Sequence, residues 1–490
     1  MNCAEFGFDE GRLAKRERLR QREEEPYTYG GTRPIGELPA LETSADPMRV
    51  AGRFWSRRAM GKVQFADLRD RSGQIQLYFA RDRLENESWD CLAALDLGDL
   101  IGAEGKLFRT RTGELSIAVE TWSLLAKALV PIPIGKDDGE RTYHQMDDPE
   151  TRYRERHLHW LVDGEDRERI ARRSLIASSL RRRMEEVDFL EVDTPVISTI
   201  YGGAEARPFR TEIWALDHQP AFLRISPELH LKRYLVAGFE RVFTLCANFR
   251  NEGIDRTHNP EFSMVEWYEA YTDYEDQMRR CETLVAGICT DVLGSTRHVY
   301  QDVELDFAPP WERLTMLEAV SRYAGIDAGS ASLSELRTAL DQRGITSDRI
   351  TNDRELSWGE MVAEIFEAEC VPQLIQPTLV VDHPREISPL TRVKRGDERL
   401  VERFEAYVCG MELANAYSEL TDPVEQIERF QAQRGADGPP LDRDFVRALG
   451  CGMPPAGGVG LGFDRLVMLL TDAPSIRDII PFPLVKPRRD

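Results

Sequence analysis

Apolar residues along this chain change their spacing several times. Between Pro47 and about Lys127 they recur every second position in short runs, MRVAGRF, KVQFADLRD, QIQLYFAR, LIGAEGKLFRT and ELSIAVETWSLL. Turn signals at Gly52, Gly61, Ser72-Gly73, Gly105 and Gly113 separate the runs. Alternation of this kind sends successive side chains to opposite faces, so the runs predict five strands, with one helical stretch, Asn86 to Leu95, before the fourth. Five short strands in that order suggest a small Greek-key barrel. Arg167 to Val187 instead carries Ile170, Leu175, Ile176, Leu180, Met184 and Val187 at helical spacing, and it runs into a strand, FLEVDTPVIS, punctuated by Pro195.

The stretch from Thr244 to Tyr268, TLCANFRNEGIDRTHNPEFSMVEWY, reads as strand, loop, strand, with Asp255 to Asn259 as the polar turn. Four amphipathic stretches follow, Asp276 to Leu293, Thr315 to Tyr323, Ser332 to Arg343 and Trp358 to Glu369, a helical block at about 275–370 that interrupts two sheet-forming regions. Strand character returns in Thr378 to Asp382, as one run in Leu400 to Leu413, and in ANAYSEL (414–420). A glycine-alternating strand, GGVGLG (457–462), then feeds an apolar helix.

Length divides this pattern among domains, since 490 residues exceed one average domain. The expected boundaries are a basic N-terminal helical extension (1–45), the barrel (46–128), a Pro- and Gly-rich linker (129–156) and a larger domain (157–490). The balance of 85 acidic against 64 basic residues, a net charge of −21, argues against indiscriminate nucleic-acid binding. Against that background, Asp9 to Glu25 carries Arg12, Lys15, Arg16, Arg18, Arg20 and Arg22. It reads equally as a phosphate-contacting arm and as a polar helix lying on a neighbour. Eight cysteines without a CxxC pair read as reduced thiols, and no apolar run approaches 18 residues, so a cytoplasmic protein with no membrane partner is expected.

Candidate chemistry gathers on the Thr244–Tyr268 hairpin. With regular flanking strands, Arg250 shares a face with Glu252, and Phe262 with Glu266 and Tyr268. A guanidinium fork, an aromatic ring and carboxylates suit phosphate, base and amine, while the same residues also describe an ordinary salt-bridged hairpin. Glu405 and Glu412 flank an apolar centre where two carboxylates can bind a hard divalent cation. Asn415, Tyr417 and Glu419 alternate on one face, and a buried carboxylate beside a Tyr hydroxyl suits a primary ammonium. Gly202-Gly203-Ala204 is a small-residue loop that lets a ligand approach the backbone, and Glu228 opens a short helix, where it also serves as a dipole partner. The spacing GxGxGxDR is neither a P-loop nor a dinucleotide fingerprint. In the barrel, Phe65 and Gln76 are face candidates, and pattern alone favours the core for Phe65.

FRNEGxxxxHNPEF, GGAxARPF and GxGxGxDR ahead of an apolar helix together resemble class II lysyl-tRNA synthetases, from about Arg12 to Pro487. The barrel segment RRAMGKVQFADLRDRSGQIQLYFARD is similar to that family's anticodon-binding domain. The resemblance implies an α+β fold: a class II catalytic domain on a six-stranded antiparallel sheet, with an N-terminal OB-fold barrel. It implies a homodimer through Arg167 to Val187 and Pro195, and activation of L-lysine by ATP before transfer to tRNA(Lys). It further implies Arg250 on the α-phosphate and lysine carboxylate, Phe262 on adenine, and Glu252 at its amino group. His258 and Arg465 would meet the outer phosphates, with Asn259 also in the ATP set, and Glu405 and Glu412 would bind Mg²⁺. Arg250 and Arg465 are the implied catalytic pair. For lysine it implies Gly203, Glu228 and Glu266 at the α-amino group, Asn415 at the carboxylate, and Tyr268 with Tyr417 and Glu419 around the ε-ammonium. Arg58, Phe65, Gln76 and Glu114 form the implied anticodon set. A paralogous ligase that modifies a protein such as elongation factor P is the alternative, although that family lacks the barrel.

Overall fold

The computed structural model describes residues 3–487 apart from 23–27, 42, 45, 135, 138–141, 144–145, 147, 205, 347–354 and 435–440. Two units make up the chain, Met1–Asp163 and Gly164–Asp490.

In the first unit the charged N-terminal stretch forms α1 (Glu10–Arg22), followed by β1 (Met48–Met60), β2 (Val63–Arg69), β3 (Gln74–Ala80), α2 (Asn86–Cys91), β4 (Leu100–Arg109) and β5 (Leu115–Ala126). The strands close into a barrel in the order β1-β2-β3-β5-β4, as their alternation predicts. Inward residues such as Val50, Leu68, Leu77, Ile101 and Val119 fill it. At least two of the six basic side chains of α1 are used within the unit. Arg12 donates to the carbonyls of Leu97 and Ala128, Lys15 lies 2.5 Å from Asp96, and Leu19 is buried in the barrel's apolar cluster.

Phe65 is not core, contrary to the pattern. It lies partly exposed against Tyr78, ring centroids 5.3 Å apart, and Tyr78 meets Phe108 at 5.6 Å. Arg58, Phe65 and Tyr78 are directly opposite one another across β1, β2 and β3. Gln76, expected on the face, is only 5% exposed, and its oxygen accepts a 2.9 Å bond from Ser116. Glu114 is exposed in the turn before β5.

The second unit opens with α3 (Gly164–Glu185), then β6 (Leu190–Glu191), α4 (Glu228–Val236), β7 (Arg241–Phe249), β8 (Glu261–Ala270), α5 (Tyr274–Leu293) and β9 (Glu312–Thr315). After the helical block come β10 (Thr378–Pro384), β11 (Asp397–Val408), β12 (Met411–Ser418), β13 (Ala456–Leu461) and α6 (Phe463–Leu470). These strands form one sheet in the order β9-β10-β11-β12-β13-β8-β7-β6. The six from β10 to β7 are mutually antiparallel, as expected, and a parallel strand extends each end.

Helices α3, α5 and α6 cover one sheet face, where Phe243, Val265, Trp267, Phe404 and Val459 meet Ile176, Leu180, Val285 and Leu466. Burial of such side chains contributes roughly 1.5–3 kcal/mol each. An Asp273 capping box with Asp276 starts α5.

Several boundaries differ from the pattern. The run Leu400–Leu413 is two strands, because Cys409 and Gly410 both adopt positive φ and turn the chain back on itself. FLEVDTPVIS yields only two-residue strands at Leu190–Glu191 and Ile197–Ser198. On α3, Leu175 is 56% exposed, and Val187 beyond its end is also exposed, so the apolar spacing there marks more than core.

Candidate functional site

The sheet face away from α3, α5 and α6 carries the polar residues. Strand register aligns them in two rows: Glu266, Gly460, Asn415 and Glu405 form one, and Tyr268, Gly458, Tyr417 and Arg403 the other. Each row crosses four strands, with a glycine of β13 in the middle. A Cβ at Gly458 would lie 2.2 Å from Glu419 Oε1 and 2.4 Å from Tyr268, so only glycine leaves this floor open.

At one end of the groove, Arg250 and Glu252 lie in the β7–β8 connection, not on a strand, because β7 ends at Phe249. The Arg250 guanidinium stacks on Phe262, 5.1 Å from its centroid, and its buried Nε has no partner among the described residues. Burial lowers the Arg250 pKa, opposed by Glu412, Glu252 and Glu266. Such an orphaned donor in a cleft is a natural anion contact. Glu252 is exposed and accepts 3.2 Å from the Arg207 backbone N–H. Arg465 opens α6, donating to His258 Nε2 at 3.1 Å and lying 3.6 Å from the Glu412 carboxylate. Asp255 accepts from His258 Nδ1 at 2.8 Å, which leaves Nε2 as the acceptor toward Arg465. Asn259 is buried, its amide donating to the Glu261 carbonyl.

A register shift between Ala406 and Tyr407 brings Glu412 opposite Tyr407, onto the face that holds Glu405. Both oxygens of Glu405 are held, one by Arg403 and the other by the Tyr407 hydroxyl at 2.5 Å. Two oxygen-donor carboxylates beside the arginines fit Mg²⁺, which takes one or two carboxylates and shares its other positions with phosphates.

At the other end the groove becomes a buried pocket. Glu228, Glu266 and Glu419 are each no more than 3% exposed. Ser226 and Tyr268 donate to Glu266 at 2.8 and 3.3 Å, and Tyr417 donates to Glu228 at 2.8 Å. Neither oxygen of Glu419 receives a well-directed hydrogen bond, and the compensating charge is the Lys232 ammonium, 2.5 Å from Oε2. Burial first, then the Glu228 charge, pushes the Glu266 carboxyl up to about 8. Burial raises Glu419 as well, against the pull of Lys232. Gly203 stands at φ +86°, where a Cβ would be 3.2 Å from both Ser226 Oγ and Glu228 Cβ. Asn415 accepts from Arg403 at 3.0 Å.

The groove thus joins a cationic, half-open end to an anionic, closed one. A model of the tRNA synthetases class II (D, K and N) matches residues 148–486, and a model of the OB-fold nucleic acid binding domain matches 48–125. The chain belongs to the class II tRNA synthetases. This synthetase is 46% identical over 455 residues to a lysine–tRNA ligase of Pelotomaculum thermopropionicum, covering 91% of this chain and 88% of the relative. A lysine–tRNA ligase of a Synechococcus strain is 45% identical over 493 residues, 98% of this chain and 99% of its own. One from Clostridium novyi is 42% identical, covering 98% and 94%.

Two residues of the synthetase groove, Lys232 and Arg403, and one behind the sheet, Asp464, escape the sequence reading. Lys232 lies one helical turn after Glu228, so the i,i+4 spacing in PELHLK was its signal. Arg403 shares its strand face with Glu405. Asp464 accepts from the Ser263 N–H at 2.7 Å and from Arg173 at 2.5 Å, fixing the start of α6 and with it Arg465.

Proposed function

We propose that this synthetase activates L-lysine with ATP and transfers the lysyl group to the 3′ end of tRNA(Lys) in the cytoplasm. The observation that carries the reading is the buried trio Glu228, Glu266 and Glu419 in line with Arg250, a site that matches two ammonium groups and one carboxylate. An amino acid with an uncharged side chain would leave a buried carboxylate unmatched, at a cost of several kcal/mol.

In this reading the lysine carboxylate attacks the α-phosphorus of ATP, and the phosphorus–oxygen bond to pyrophosphate breaks. Arg250 holds both the attacking carboxylate and the α-phosphate. Phe262 stacks on adenine, and Glu252 accepts from its amino group. His258 and Arg465 take the outer phosphates, where negative charge grows as pyrophosphate leaves. Glu405 and Glu412 would hold Mg²⁺, which would neutralise phosphate charge when bound. No general base is required, because a carboxylate is already ionised at neutral pH. The terminal ribose hydroxyl of tRNA then attacks the lysyl carbonyl and releases AMP.

The partly exposed aromatic row of Phe65, Tyr78 and Phe108, with Arg58 opposite Phe65, supports anticodon stacking. Exposed apolar residues Leu175, Val187, Leu190, Val196 and Ile197 support a homodimer through α3 and the segment after it. Among the described residues no helix is long and apolar enough to cross a membrane. The test is lysine-dependent ATP–pyrophosphate exchange followed by charging of purified tRNA(Lys). Both activities are expected. Exchange without charging would move the assignment to a ligase acting on a protein, and no exchange with lysine would sink it.

A further inference from the structure

Lys232 has no role in the reaction just described, yet it is the most enclosed cation of the groove. Its side chain is fully buried, with Nζ 2.6 Å from Glu228 Oε1 and 2.5 Å from Glu419 Oε2. It also sits 5.6 Å from the centre of the Tyr417 ring. The two carboxylates it joins are the ones assigned to opposite ends of the substrate, Glu228 to the α-amino group and Glu419 to the ε-ammonium. Residue spacing explains how one ammonium reaches both. Glu228 and Lys232 are i and i+4 on α4, so they lie on one helix face. Glu419 follows directly on β12, where its N–H donates 2.8 Å to the Ala456 carbonyl.

The other fixings of Glu419 are weak. Among the described residues no hydroxyl or amide directs a hydrogen bond at it, whereas Glu228 has Tyr417 and Glu266 has Ser226 and Tyr268. Its position therefore depends on the ionic contact with Lys232 and on the space left by Gly458. Charge counting leads the same way. When all three carboxylates are ionised, one internal ammonium leaves two negative charges, the number that the two ammonium groups of lysine neutralise. The guanidinium of Arg250 remains for the substrate carboxylate.

We propose that Lys232 is a specificity-determining positioning residue: it pins the Glu419 carboxylate at a fixed distance from Glu228, so that the pocket measures the length of a diamino acid. This inference rests on the assignment of the pocket to lysine. A diamino acid one methylene shorter, ornithine, brings its terminal ammonium short of the pinned carboxylate and leaves both charges partly unmatched. Without the pin, Glu419 can follow the shorter chain.

The test is ATP–pyrophosphate exchange by the full-length protein with lysine and with ornithine, comparing wild type, K232M and K232Q. K232M fills most of the space of the lysine stem and removes its charge. It is expected to raise KM for lysine at least about tenfold while moving KM for ATP less than about twofold. The kcat/KM preference for lysine over ornithine is expected to fall at least about fivefold. K232Q, which keeps N–H donors one bond short of the Nζ position, should lie between the two and carries the test at about threefold if K232M does not fold. Equal rises in both KM values with the preference intact would reduce Lys232 to a structural part. Unchanged kinetics would remove the inference outright. In either case normal lysine-dependent exchange by the wild type would leave the lysine assignment standing, whereas no wild-type exchange would remove the assignment itself.

Discussion

The two ends of the groove share a sheet face but handle charge in opposite ways. At the phosphate end the His258 and Glu412 side chains are 57% and 42% exposed and their pairs are partly wetted. At the carboxylate end Glu419 and Lys232 are sealed from water. Exposed pairs contribute about 0–1 kcal/mol and exchange partners easily, so the first end can release its internal contacts to a polyanion at little cost. Buried carboxylates cannot be left unmatched so cheaply, and a ligand that lacks the matching ammonium is penalised. Binding at one end is therefore tolerant, and discrimination is concentrated at the other.

In the proposed reaction Arg250 touches both substrates, and removing it tests whether the two ends work as one site. Arg250→Ala is expected to slow pyrophosphate exchange about a thousandfold, as loss of a central transition-state donor does. A loss confined to KM for either substrate would break the junction. Next in size, Glu419→Gln is expected to raise KM for lysine about a hundredfold with KM for ATP nearly unchanged. Equal loss in both, again by exchange, would abolish the division between the ends. A smaller effect separates them by pH. In the empty pocket Glu266 is held at about 8, so below that pH it carries a proton that an incoming ammonium must displace. KM for lysine should then fall as pH rises from 6.5 to 8, by up to about tenfold per unit, with KM for ATP changing far less. A lysine KM flat over that range would show that the carboxylates are already ionised. Smallest is His258→Ala, expected to raise KM for ATP only about threefold, most at low salt. A rise as large as that from Glu419→Gln would mean that the phosphate end is as exacting as the pocket.

Much of this was legible in the sequence, for physical reasons that differ by residue. The barrel announced itself because half-buried strands must alternate, and Glu228, Glu266, Tyr268, Asn415, Tyr417 and Glu419 do share one pocket region of the groove. Phe65 was misread toward the core because alternation gives a face but not which face is covered. Arg250 and Glu252 look like strand in sequence because the alternation runs on past Phe249, while the β7–β8 ladder ends there and beyond Arg250 the backbone turns to other partners. The turn at Cys409–Gly410 was hidden inside an apolar run, since cysteine gives no hint of a positive φ. Lys232 was passed over because a lysine in a helix ordinarily lies in water, and only the tertiary approach of Glu419 makes it a buried bridge.

The irregularity in the β11–β12 hairpin sets a constraint on how this chain can change. The Tyr407–Glu412 pairing, counted from the turn, points Glu412 with Glu405 toward the groove, and Leu413 is the extra residue that absorbs the shift to the Ala406–Ala414 pairing. Deleting Met411, between the turn and Glu412, would keep the turn and both strands, yet would bring Glu412 opposite the buried Val408, on the oily side of the sheet. The spacing from the turn to Glu412 therefore cannot change by one, whereas loss of Leu413 would leave the carboxylate where it is.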